Sequence, residues 1–353
     1  MDFTPDELQT IKATLRSGQN LADLTNLVNL IGDLVAVKLE LKPKSFSVRQ
    51  VYHYYYNLES KYKEHRMPKK SGGERVIHAP EETLKQIQRR LNIILSRLYQ
   101  PTEAAHGFVL NRSIVTNAQP HTSRKHVFNL DLKDFFSTIH FGRIKAVLQL
   151  SDYGLTPELA HIVANFCCFQ GRLPQGSPAS PILTNLVCRR MDNRISGLAT
   201  KHGFTYTRYA DDLTLSFDDV PADAIHKMEY GLGKILKEEG FIVNDKKTRL
   251  LRPNQRQEVT GVVVNKKTNV NRAYIRNLRA ILHNWQKLGL EPTKARFESL
   301  YPTEKGFKRN KKIPKMENVL FGKIQFLGMV RGKEDEVFVD YLKNLRSLTK
   351  SIE

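Results

Sequence analysis

Apolar residues recur at helical spacing near the start of the chain. In "LADLTNLVNLIGDLVAVKLEL", Leu21, Leu24, Leu27, Val28, Ile31 and Leu34 share one stripe, which predicts a helical region over residues 1–60. The period returns in "LKQIQRRLNIILSRLY", where Leu84, Ile87, Leu91, Ile94, Leu95 and Leu98 lie opposite Lys85, Arg89, Arg90 and Arg97. Between the two, "MPKKSGGERVIHAP" breaks the pattern, and Gly72 and Gly73 predict a tight loop between short strands. Further on the period shortens to two. "HVFNLDLKDFF" (126–136) reads as a strand entering a turn, "YTRYADDLTLSF" (206–217) as a hairpin or extended pair, and 256–265 as a strand. Helices are expected over 155–170, 176–200 and 221–239. Strands and helices mixed in this way imply an α/β or α+β sheet domain with helices on one face.

Asp211 and Asp212 stand side by side within a strand pattern, where Asp is depleted and like charges repel. Asp131 lies on a second expected strand, with Asn129 and Asp131 facing away from Phe128 and Leu130. Three carboxylates on one sheet face stay ionised together only with cations, and hard oxygen ligands near phosphate suit Mg²⁺. The plainer alternative makes them ordinary polar residues at strand ends, and spacing alone does not separate the two.

Charge narrows the partner. Among 353 residues, 56 Lys and Arg face 36 Asp and Glu, a net charge of +20, which points to a polyanion and by default to nucleic acid. A hydrophobic content of 40% is that of a folded protein. No apolar run approaches a membrane span, and "MDFTPDELQT" has acids where a signal peptide has basic and then apolar residues, so a cytosolic, non-membrane protein is expected. Cys167, Cys168 and Cys188 offer neither a disulfide framework nor a CxxC metal site and are expected to be packing residues.

"NLDLKDFF", "RLPQGSPASPILTNL" (172–186) and "YADD" (209–212), in that order, resemble the motif set of reverse transcriptases. "GERVIHAPEETLKQIQRRL" (73–91) resembles their fingers motif, "AHGFVLNRSIVTNA" (105–118) the segment after it, and "GFIVNDKKT" (240–248) the motif after the palm helix. "NAQPH" (117–121) and "VTGVVVN" (259–265) resemble two signature regions of bacterial retron reverse transcriptases.

The resemblance implies an α+β, right-hand polymerase fold. It divides the chain into an N-terminal helical region (1–65), fingers with a retron signature (66–125), a palm (126–265, with fingers elements inserted between 145 and 180) and a basic thumb (266–353). Asp131, Asp211 and Asp212 become the catalytic ligands of two Mg²⁺ ions, and Lys247, with Lys246 beside it, a proton donor to pyrophosphate. Phe136 takes the place of an aromatic beneath the nucleotide sugar, where a 2′-hydroxyl has no room, while Phe135 is a packing residue. Gln175 in a rigid Pro and Gly turn would touch the nucleotide or template base. Arg75 would hold triphosphate, aided by Lys70 and Lys69.

For RNA, the resemblance singles out Asn117 and His121, either as RNA contacts or as supports of the palm. "KGFKRNKKIPK" (305–315), with Lys305, Lys308, Arg309, Lys311 and Lys312, supplies charge, and Trp285, Tyr274, Arg272, Arg276 and Arg279 add stacking and charge. The activity implied is RNA-directed DNA synthesis from dNTPs on a structured non-coding RNA, primed at an internal guanosine 2′-hydroxyl and leaving a branched RNA–DNA product (msDNA). A toxic effector protein in phage defence is the implied partner. Two alternatives stand beside it: a scaffold that restrains that effector, and a group II intron-like reverse transcriptase.

Overall fold

The structure is a computed structural model and describes residues 3–68, 72–303 and 312–350. In chain order the helices are α1 (Pro5–Ser17), α2 (Leu21–Lys38), α3 (Val48–Tyr56), α4 (Glu82–Leu98), α5 (Ile114–Ala118), α6 (Phe135–Thr138), α7 (Phe141–Leu148), α8 (Pro157–Cys167), α9 (Ser180–Lys201), α10 (Ala222–Glu238), α11 (Arg272–Leu288), α12 (Leu290–Leu300), α13 (Met316–Arg331) and α14 (Glu336–Lys350). The strands are β1 (Tyr62–Pro68), β2 (Glu74–Pro80), β3 (His126–Asp131), β4 (Thr205–Tyr209), β5 (Asp212–Phe217), β6 (Arg249–Leu251), β7 (Glu258–Val259) and β8 (Val262–Val263). β1 and β2 form an antiparallel pair, β4-β5-β3-β6 a four-stranded sheet, and β7-β8 a short ribbon.

The chain divides into two compact units. One comprises Met1–Asn111, Asn129–Leu213 and Val220–Thr248; the other comprises Arg112–Phe128, Thr214–Asp219 and Arg249–Glu353.

In the first unit the apolar stripes are buried as their period predicts. Leu21, Leu24, Leu27, Val28 and Ile31 of α2, and Leu84, Ile87, Leu91, Ile94, Leu95 and Leu98 of α4, are in the core, while Leu34, last of the α2 stripe, is half-buried. α2 is fixed at its start by Asn20, whose side chain accepts from the amides of Ala22 and Asp23. Arg90 departs from its expected place on the basic face of α4. It is buried, donates to the carbonyls of Val28 and Lys44, and stacks 4.6 Å from the Phe46 ring centroid. Periodicity places a side chain on a face but does not say which neighbour leaves carbonyls there to be satisfied.

In the second unit Ala118, Val127, Val259, Val262, Val264, Leu278, Leu282, Trp285, Leu320, Ile324 and Phe338 share one core. The strand expected over 256–265 is instead a hairpin, β7-β8, closed by Thr260 and Gly261, both at positive φ (47° and 83°) as a two-residue turn of this hand requires. "TG" at the centre of an apolar run was the signal, masked by the β-branched residues around it.

Trp285 corrects a second expectation. It is 4% exposed in that core, so its ring has no free face for a base. Tyr274 is half-buried against the same core, with its hydroxyl on the Lys323 carbonyl at 2.8 Å. Among the described residues no helix is long and apolar enough to cross a membrane.

Candidate active site

Sheet order alone brings the aspartates together. β3 and β5 are neighbours; Asp131 ends the first, and Asp212 begins the second. β4 and β5 are joined by only Ala210 and Asp211, a link short enough to require an antiparallel hairpin. The amide of Leu132 donates to the Asp211 carbonyl at 2.9 Å and ties the two strand ends.

Asp131 is nearly buried and fully engaged. Lys247 Nζ donates to its Oδ2 at 2.8 Å and Asn244 Nδ2 to its Oδ1 at 2.9 Å, while the Asn244 amide donates to its carbonyl at 2.8 Å. Lys247 therefore reaches Asp131, which separates it from Lys246. Asn244 was not singled out in the sequence, although it sits in "GFIVNDKKT".

Burial raises the Asp211 pKa, and Asp131 adds repulsion that Lys247 and Arg75 partly offset. Asp212 is open to solvent on one side, yet the surrounding protein desolvates its carboxylate, and with Asp211 and Asp131 close by its pKa is pushed up to about 6.

That shift has a sign to test. Between the ordinary carboxylate value and about 6, the unfolded chain has lost the proton that folded Asp212 still holds, so stability falls as pH rises through this window. In metal-free protein, Asp212→Asn should melt above wild type at pH 7.5 and lose that advantage by pH 4. Thermal melts across the pH range check it, and an advantage that does not change with pH would disprove the shift.

The carboxylates of Asp131, Asp211 and Asp212 stand close enough to repel one another. Among the described residues no three acidic, His or Cys side chains stand as a ready metal cage. Mg²⁺ keeps most of its waters and needs only one or two carboxylates, and the mutual repulsion at Asp131, Asp211 and Asp212 is what a hard cation relieves.

Around this cluster, Phe135 is buried, as expected of a packing residue. Phe136 is half-buried, with its ring 6.5 Å from that of Phe108. Gln175 lies in the turn before α9, and its carbonyl accepts from the His78 amide at 2.8 Å, which docks the turn on β2. Gly176 makes that approach possible: at φ 121°, a Cβ there would stand 2.7 Å from the His78 carbonyl oxygen. Arg75 is exposed on the same strand. Lys69 and Lys70 fall outside the described residues.

The two signature segments meet each other in the second unit. Asn117 and His121 are both fully buried; Asn117 Nδ2 donates to Thr260 Oγ1 at 3.4 Å, and His121 Nδ1 lies 2.7 Å from Ser216 Oγ. Ser123 donates its amide to the Val264 carbonyl at 2.9 Å. Of the two expectations for "NAQPH", burial excludes direct RNA contact by these side chains and leaves structural support. Lys312 is exposed, while Lys305, Lys308, Arg309 and Lys311 lie outside the described residues.

Three aspartates are gathered at a hairpin turn and an adjoining strand end of an α+β domain, and residues 67–271 match the family described as "Reverse transcriptase (RNA-dependent DNA polymerase)". The chain belongs to that family. Its similar proteins are retron reverse transcriptases: those of retrons Mx65 and Mx162 of Myxococcus xanthus, 42% identical over 235 residues and 37% over 255, and that of retron Ec86 of Escherichia coli, 35% over 231. These matches cover 62%, 63% and 65% of this chain, and 54%, 52% and 68% of the relatives. The chain thus spans about half the length of the two Myxococcus relatives.

Proposed function

We propose that this chain is the RNA-directed DNA polymerase of a retron. It copies a structured non-coding RNA from an internal guanosine 2′-hydroxyl into a branched RNA–DNA product and acts with an effector in phage defence. The observation that carries the polymerase reading is the meeting of Asp131, Asp211 and Asp212 beside Lys247. The net charge of +20 and the names of the similar proteins support the RNA and the retron. Fingers at 66–125, palm at 126–265 and thumb at 266–353 is the division this reading carries.

The three aspartates would hold two Mg²⁺ ions, which when bound lower the pKa of an attacking hydroxyl and stabilise the departing pyrophosphate. The chain's own side chains then have separate tasks. Arg75 offers a guanidinium fork to triphosphate oxygens, with Lys70 beside it. Gln175 borders the nucleotide. Lys247, hydrogen-bonded to Asp131, would hold that carboxylate in place and give a proton to the departing pyrophosphate. The direct test is incorporation of dTTP on poly(rA)·oligo(dT) with Mg²⁺. No incorporation by the wild type would overturn the reading.

Phe136 gives a second expected result. Its half-buried ring would lie under the sugar and leave no room for a 2′-hydroxyl, so Phe136→Ala should raise ribonucleotide incorporation relative to deoxyribonucleotide by about 10- to 100-fold, the value of one or two well-packed contacts. Competition between UTP and dTTP measures it. Unchanged discrimination would place the gate elsewhere.

The RNA grip loses Trp285 and keeps a cationic stripe. Arg272, Arg276, Arg279, His283 and Lys287 of α11 are exposed at helical spacing opposite buried Leu278, Leu282 and Trp285, and α11 contains no acid. If these residues and Lys312 meet phosphates, replacing Arg272, Arg276, Arg279 and Lys312 by Ala should flatten the slope of log affinity against log salt by ~0.7 to 0.9 per lost contact. A hairpin RNA titrated over a salt series measures it, and an unchanged slope would reduce the stripe to a solvated surface.

A further inference from the structure

Arg208 is fully buried, two residues before the turn that carries the aspartates, and nothing in the polymerase reading uses it. A guanidinium withdrawn from water persists only when every donor finds a partner. Its Nε and one terminal nitrogen hold the two oxygens of equally buried Asp192, each at 2.8 Å. The same terminal nitrogen donates to Asn185 Oδ1 at 3.1 Å, and the other donates to the carbonyl of Ala210 at 3.2 Å. Asn185 and Asp192 are seven residues apart on α9, two turns on one face, so a single rigid helix seats the fork. Tyr206 adds its hydroxyl to Asp192 at 3.0 Å.

The turn needs holding. Ala210 has φ +56°, a left-handed conformation that a residue with a Cβ rarely adopts unless its surroundings enforce it. On its other side lies segment 104–107. The Arg208 amide donates to the Ala104 carbonyl at 2.7 Å, the His106 amide to the Arg208 carbonyl at 2.8 Å, and Asn185 Nδ2 to the Gly107 carbonyl at 2.9 Å. Gly107 presses so closely that a Cβ there would stand 2.5 Å from the Ala210 nitrogen. Ala210 is thus gripped at its carbonyl by a charge and at its amide by a glycine backbone.

We infer that Arg208, seated by Asp192 and Asn185, is a positioning residue that clamps the Ala210 carbonyl, keeps the turn left-handed and so aims the carboxylates of Asp211 and Asp212. The inference rests on the polymerase reading. A side chain that only filled the core would have no reason to end on the carbonyl next to Asp211, and a lysine, with one nitrogen, cannot serve Asp192, Asn185 and Ala210 together.

The test uses the full chain with Mg²⁺, poly(rA)·oligo(dT) and dTTP. Arg208→Lys should lower kcat at least tenfold while the KM for dTTP and the affinity for primer–template change less than threefold. The double variant Arg208→Met with Asp192→Leu replaces the buried pair by apolar volume, which restores packing but not the clamp. Its thermal midpoint should return near wild type, its kcat should stay low, and amide hydrogen exchange over residues 209–213 in metal-free protein should quicken in both variants. Recovery of stability and kcat together would overturn the inference, because the pair would then be structural only. Should the double variant fail to fold, Arg208→Lys decides: kcat within twofold of wild type overturns the clamp. An inactive wild type would instead sink the polymerase reading, and a fully active Asp211→Asn the assignment of Asp211 to the site; the inference falls with either.

Discussion

Asp211→Asn is expected to remove dNTP incorporation, by at least ~10³-fold in kcat, about 4 kcal/mol of transition-state stabilisation, while leaving RNA affinity within a few-fold of wild type. Asp211 is held at its own carbonyl by the Leu132 amide, so the substitution removes charge while that tie between the strand ends remains. Its pKa is raised by burial and by Asp131, so the neutral amide should also relieve repulsion and leave the fold at least as stable. Asp131→Asn should be equally inactive for a second reason: it breaks the ion pair with Lys247. Single-turnover incorporation with a parallel filter-binding measurement checks both. Full activity in either variant would remove that residue from the site.

Trp285→Ala is expected to destabilise the second unit by about 3–5 kcal/mol, the usual cost of emptying a buried aromatic site. The indole lies in the core with Leu278, Leu282, Leu320 and Ile324, whereas a base-stacking tryptophan would be exposed and cheap to remove. Urea denaturation of the wild type and Trp285→Ala measures the difference. A variant of unchanged stability with weakened RNA binding would restore the stacking role that burial denies.

The three aspartates stood out in the sequence because their cost is local, although only the resemblance to reverse transcriptases chose a shared site over ordinary polar residues at strand ends. Two adjacent carboxylates in a strand pattern conflict with propensity, and "NLDLKDFF" repeats the conflict 80 residues upstream. The apolar stripes of α2 and α4 were legible for a similar reason: a repeat of 3.6 residues names its own buried face. Phe135 is buried, as a packing residue is expected to be, and Phe136 is half-buried.

Other residues had no such signature. Asn244 and Lys247 gain their place from a turn folded onto the end of β3, and nothing in "VNDKKT" says which of its polar side chains will meet Asp131. Arg90 looked like one of four cations on a helix face, and Trp285 like an aromatic amid basic residues.

What the sequence by itself determined was what repeats or conflicts within a short stretch: the amphipathic helices, the hairpin or extended pair at 206–217 with its two adjacent carboxylates, and the cationic balance that points to a polyanion. The tertiary structure alone decided the partners of isolated polar and aromatic side chains. It buried Arg208 on Asp192 beside the turn that carries Asp211, closed Asn117 onto Thr260 of the second signature segment and His121 onto Ser216, and took Trp285 into a core. The physical reason is that periodicity follows from the geometry of one element. The burial of a lone charge or ring depends on which distant element supplies its hydrogen bonds or its apolar neighbours, and that is set only when the elements pack.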